Sequence, residues 1–114
     1  MIKTIVLSFS LLLMISISFG QTQLEMNQKA EKDQKKADLI MTKVYKEAMA
    51  KCDENGKKLL LEAQKAWIKY KEAHCRSEAS AYEGGSMQPM IWSMCITEMT
   101  EQRTKLLKTY LEEN

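Results

Sequence analysis

The stretch that decides the fold is CRSEASAYEGGSMQPMIWSMC, running from Cys75 to Cys95. Gly84-Gly85 in its middle is the only pair of adjacent glycines in the chain. Cys75 lies ten positions before Gly85 and Cys95 ten after it. If both flanks are helices folded back on each other, the two thiols come level, about 15 Å from the turn at roughly 1.5 Å per residue. Symmetry alone therefore predicts a Cys75–Cys95 disulfide. The same count sets Trp67 level with Arg103, Leu60 with Tyr110 and Ala63 with Leu107. Arg103 is then placed either over the Trp67 ring as a cation–π partner or beside an acid at the surface.

The flanks do read as helices. Beyond residue 20, glycine occurs only at Gly56, Gly84 and Gly85, and the single proline is Pro89. The segments between are Lys, Glu, Ala, Leu, Met and Gln, all good helix formers. No alternating run of β-branched residues marks a strand. The expected fold is all-α, with three long helices, the second and third forming an antiparallel hairpin clipped by the disulfide. The first helix is expected over Leu24 to Lys51, with Ala30, Ala37, Met41, Val44, Ala48 and Met49 at helical spacing. Its first half is only weakly apolar. Gly56 is expected to end it by taking a conformation that other residues resist. The second is expected over Lys57 to Tyr82, with a stripe of Leu60, Ala63, Trp67, Tyr70 and His74. The third is expected over Met87 to Glu112, capped by Ser86, with Pro89 in its first turn. Its stripe is Ile91, Met94, Cys95, Met99, Leu106, Leu107 and Tyr110.

Residues Met1 to Gly20 read as a secretory signal peptide. Lys3 gives a positive start, Ile5 to Phe19 is apolar apart from serines, and Gly20 supplies a small residue at the cut. A membrane anchor would need roughly 20 apolar residues. The domain proper is then Gln21 to Asn114, 94 residues with 16 basic and 15 acidic side chains. That near balance excludes a dedicated nucleic-acid binder, which carries a strong basic excess. With no second apolar run, no membrane association is expected after cleavage. The expected location is periplasmic or secreted, as a monomer. In an oxidising compartment, cysteines at matched positions are bridged.

Other chemistry finds little footing. Cys52 lies about 20 Å or more along the second helix from Cys75, beyond disulfide reach. It is read as free and packed, the alternative being a bond to another chain. His74, Met87, Met90 and Met94 near the cysteines offer soft ligands, but oxidised cysteines cannot ligate as thiolates, and methionine at helical spacing is usually core. No metal and no cofactor are expected. One histidine, no nucleophile pair and no phosphate-binding loop argue against an enzyme, so no catalytic residue is assigned. The corner Tyr82, Glu83, Gly84, Gly85 and Ser86 is the candidate partner-binding element, because a clipped base holds it out.

From Ala63 onward the motifs AQKAWIKYKEAHC, AYEGGSM, Cys95 and TEQRTKLL resemble the LprI-like lysozyme-inhibitor family. The matching positions are Ala63-Gln64, Trp67, Tyr70-Lys71, Cys75, Gly84-Gly85, Cys95, and Thr100 to Arg103 with Leu106 and Leu107. Ala37-Asp38 and Val44-Tyr45 match more weakly. The chain departs from the pattern at Lys71, where arginine is frequent, and in lacking a cysteine between Gln21 and Lys51. The resemblance implies a short exported helical domain that inhibits a lysozyme or other muramidase by direct binding, with Gln64, Trp67, Tyr70 and Arg103 as its structural motif. A net charge of +1 offers no long-range pull on a basic enzyme, so the contact would rest on an inserted loop. The alternatives are an envelope structural or stress module with another partner, and a soft-metal binder.

Overall fold

A computed structural model describes the backbone of residues 2–112 and the side chains of residues 20–112. It contains three helices, α1 (Ile2–Lys51), α2 (Glu54–Ser80) and α3 (Gln88–Glu112), and no strand among the described residues. The expected signal-peptide side chains lie outside the described residues, except for Gly20. The body is long and narrow, 81 × 22 × 15 Å. Helix α3 packs along both partners, whereas α1 and α2 meet mainly near their connection at Cys52 and Asp53. Helices α2 and α3 are antiparallel. Helices α1 and α3 run parallel, with Asn27 beside Ser86 at one end and Ala48 beside Leu107 at the other.

The buried or half-buried line on α1 is Gln23, Asn27, Ala30, Gln34, Ala37, Met41, Val44 and Ala48. Its alternating steps of four and three form a heptad seam. The half near Ala48 is apolar as expected, while the half near Gln23 is polar. Opposite it, α3 presents Ser93, Thr97, Thr100 and Thr104, of which Ser93, Thr100 and Thr104 are buried. Small side chains on both sides let the helices approach closely. Two hydroxyls are satisfied within the helix, Thr97 donating to the Ser93 carbonyl at 2.7 Å and Thr104 to the Thr100 carbonyl at 3.0 Å.

Two apolar clusters result. One gathers Met41, Val44, Ala48, Leu60 and Leu107 near the α1–α2 connection, with Trp67, Cys52 and Leu111 against it. The other gathers Cys75, Cys95 and Ile96, with Trp92 and Met99. The buried line on α2 is Leu60, Gln64, Cys75 and Ala79. The expected stripe is thus corrected, because Ala63 and Tyr70 face solvent and Gln64 turns inward. Met94, Leu106 and Tyr110 on α3 are likewise exposed. Periodicity ranks large apolar residues as core, but α3 uses hydroxyl residues where α1 comes closest.

The helix ends also differ from expectation. Gly56 does not end α1. It sits in the first turn of α2, where its N–H donates to the Asp53 side chain at 2.7 Å as the N-cap bond. Its φ is not positive. A Cβ there would meet Asp53 Oδ1 and Cys52 Cβ, each at 3.1 Å, so close approach explains the glycine. At the start of α3 the cap position is Met87, whose carbonyl accepts from the Ile91 N–H at 3.0 Å, one residue later than Ser86.

Candidate functional site

The corner joining α2 to α3 is a defined turn. Gly85 N–H donates to the Tyr82 carbonyl at 3.0 Å, and Gly84 between them has φ +78°. A positive φ at the third residue alone is the pattern of a type II turn, with Glu83 at its second position. A Cβ on Gly85 would press on the Tyr82 carbonyl oxygen at 3.2 Å. Every residue from Ala81 to Met87 is exposed, including the apolar Tyr82 and Met87. The turn is braced from two directions. Below it, Cys75 and Cys95 are disulfide-bonded with their Cα atoms 5.6 Å apart. Beside it, Asn27 on α1 donates to the Ser86 carbonyl at 3.1 Å, and Gln23 donates to Asn27 Oδ1 at 2.8 Å.

The motif residues Gln64, Trp67 and Arg103 meet at mid-hairpin. Arg103 Nε donates to Gln64 Oε1 at 2.9 Å, and Gln64 Nε2 donates to Met41 Sδ at 3.1 Å, so one amide ties all three helices. The Arg103 guanidinium carbon stands 6.0 Å from the Trp67 ring centre, and Lys71 Nζ stands 4.6 Å from it. Burial lowers the Arg103 pKa, partly offset by Tyr110 and Tyr45. Its Nη2 is buried without a hydrogen-bond acceptor, so the Trp67 π face supplies part of the missing stabilisation. Tyr70 is not in this group. It stacks on His74, with ring centres 5.8 Å apart.

Two grooves flank α3. One, of about 460 Å³, sets Ile91 and Met94 among Asp33, Glu78, Glu98 and Glu101. The other, of about 540 Å³, has Trp92 and Ser93 opposite Leu24, Asn27 and Gln34 of α1. Sequence reasoning passed over Trp92 and these carboxylates. The signal that could have found them is their spacing, since Met94, Glu98 and Glu101 share one helical face. Cys52 is a free thiol that donates to the Ala48 carbonyl at 3.4 Å. No helix among the described residues is long and apolar enough to cross a membrane.

Comparison with known proteins gives these features a context. The family profile described as lysozyme inhibitor LprI matches residues 18–107. A relative from Rhizobium meliloti, named only as an uncharacterized protein, is 33% identical over 104 residues, covering 80% of this chain and 75% of its own. The crystal structure of a DUF1311 family protein from Pseudomonas putida aligns with a TM-score of 0.71 over 79% of this chain and 94% of that one. At 18% identity that likeness is one of fold.

Proposed function

The chain belongs to the LprI lysozyme-inhibitor family, and from that premise we propose that it blocks a lysozyme or related muramidase by inserting the Tyr82–Ser86 corner into the enzyme's cleft. The observation that carries this reading is the bracing of an exposed turn by the disulfide below and Asn27 beside it. A turn already held in shape loses little conformational freedom on docking, which is where a flexible loop would lose affinity. Tyr82 offers an aromatic anchor of the kind that dominates interfaces. The Ser86 hydroxyl is suited to meet one of the two carboxylates with which such enzymes cleave glycans, whereas the Tyr82, Glu83 and Gly85 N–H groups are engaged within the turn. Glu83 places one negative charge at the tip, while the carboxylates around Met94 lie farther from the corner, two of them on α3 beyond the disulfide. The Glu83 charge partly answers the weakness of the overall balance, since attraction to a basic enzyme depends on the facing surface rather than on the net sum.

The proposal includes export, with Met1–Gly20 as a removable leader, and inhibition without catalysis. Protein recovered after export would begin at Gln21. It is expected to slow lysis of bacterial cell walls by lysozyme in a dose-dependent way. The double variant Tyr82→Ala, Glu83→Lys is expected to lose at least about tenfold in potency, the effect of one lost hot-spot contact or roughly 1.4 kcal/mol. Native protein without effect at high molar excess rejects the inhibitor reading. Full potency in the double variant rejects the corner as its means.

A further inference from the structure

We propose that opening the Cys75–Cys95 clip creates a zinc site formed by Cys75, Cys95, His74 and Glu78. The metal-ligating atoms of His74, Glu78 and Cys95 all lie within 4.8 Å of one another. Cys75 is bonded to Cys95, but its sulfur stands outside that triad and must rotate toward it once the bond opens. In a tetrahedral shell with bonds of about 2.0–2.3 Å the ligand atoms stand roughly 3.3–3.8 Å apart, so the side chains must draw together by rotation to complete the shell. Neither helix needs to move, because the Cα atoms of the two cysteines are 5.6 Å apart. His74 and Glu78 sit one turn apart on α2 and are in contact at 3.2 Å.

The chemistry selects the metal. Two thiolates, an imidazole and a carboxylate form a four-coordinate set suited to zinc. Cys75 and Cys95 are buried, whereas the His74 and Glu78 side chains are 40% and 53% exposed. A zinc ion therefore has an open approach over the half-exposed pair and an enclosed seat on the sulfurs. Met99 Sδ, 3.8 Å from Cys75 Sγ, is the competing soft donor. It would favour Cu(I) in place of zinc.

The steps balance. A dithiol reductant gives two electrons and two protons to the Cys75–Cys95 bond and is itself oxidised to a disulfide. Zinc then displaces one proton from each thiol and keeps its own charge state. The closed clip and the bound metal exclude each other, since the sulfurs serve one or the other. Either way the same two positions link α2 to α3.

The test compares oxidised chain with chain reduced by a phosphine, both without oxygen, by titrating zinc against a chromophoric chelator. Reduced protein is expected to take one zinc per chain and oxidised protein none. With Co(II) in place of zinc, the reduced form should show thiolate-to-cobalt charge-transfer absorption. His74→Gln and Glu78→Gln should each weaken zinc binding by at least about tenfold, the scale set by losing even an outer-shell partner, while Met99→Leu should not. Helicity is followed throughout. The proposal is overturned if reduced protein takes no more zinc than oxidised protein, or if both substitutions leave affinity unchanged. It also fails if the reduced site ignores zinc and takes Cu(I) in a way that Met99→Leu abolishes, or if reduction melts the helices and zinc does not restore them.

Discussion

Gly84 holds the one positive φ among the described residues, +78°, and nothing lies within 4 Å of where its Cβ would be. The demand there is conformational, not steric. Gly84→Ala should therefore lower stability by about 1–2 kcal/mol, the cost of a left-handed conformation for an ordinary residue. Gly84→Asn, whose short polar side chain tolerates that region, should recover most of the loss. Urea unfolding followed by helicity measures both. Equal destabilisation by the two would show that space, not backbone angle, sets the requirement. Gly56 is the converse case, because its φ is ordinary and its neighbours are 3.1 Å from the absent Cβ. Glycine in a sequence announces a special position without saying which kind, and so the expected helix stop at Gly56 became a tight first turn instead.

Helix α1 divides into an apolar half, Ala37 to Ala48, and a polar half, Gln23 to Gln34, on one continuous seam. The apolar half needs only burial. The polar half depends on the Gln23, Asn27 and Ser86 hydrogen bonds, each worth about 0.5–1.5 kcal/mol net. Asn27→Ala should thus raise amide hydrogen exchange over residues 23–34 while global stability falls by less than about 1.5 kcal/mol. Protection unchanged along that segment would mean that the seam holds without Asn27. The three helices and the apolar half of this seam were legible because alanine, methionine and valine recur at helical steps. The inward turn of Gln64 and the Ser93–Thr104 face were not. A polar residue enters a core only when another element supplies its partner, and the partners of Gln64 are 23 and 39 positions away. The corner's position was readable from Gly84-Gly85. Its support by Asn27, 59 positions from Ser86, was not.

At the scale of the molecule, stability rests on two small clusters joined through a polar middle, in a body only 22 × 15 Å across. Little apolar area is removed from water in such a shape, so a cross-link counts for more than in a rounder domain. The disulfide spans 20 residues. In the chain-entropy account, closing such a loop contributes about 3 kcal/mol, chiefly by restricting the unfolded chain. A total stability of roughly 5–15 kcal/mol is ordinary for one domain. Changing both Cys75 and Cys95 to Ser should accordingly lower the melting temperature by roughly 12–24 °C, taking about 4–8 °C per kcal/mol for a domain of this size. Cys52→Ser exchanges a partly buried thiol for a hydroxyl that can still donate to the Ala48 carbonyl, so its shift should stay within about 5 °C. Differential scanning calorimetry on the three proteins separates these cases. If the cross-link acts mainly on the unfolded chain, the double variant should also retain native helicity at 25 °C, and its unfolding enthalpy at a common temperature should be nearly unchanged. A large fall in that enthalpy would instead mean that the sulfurs organise the Ile96, Trp92 and Met99 cluster in the folded state.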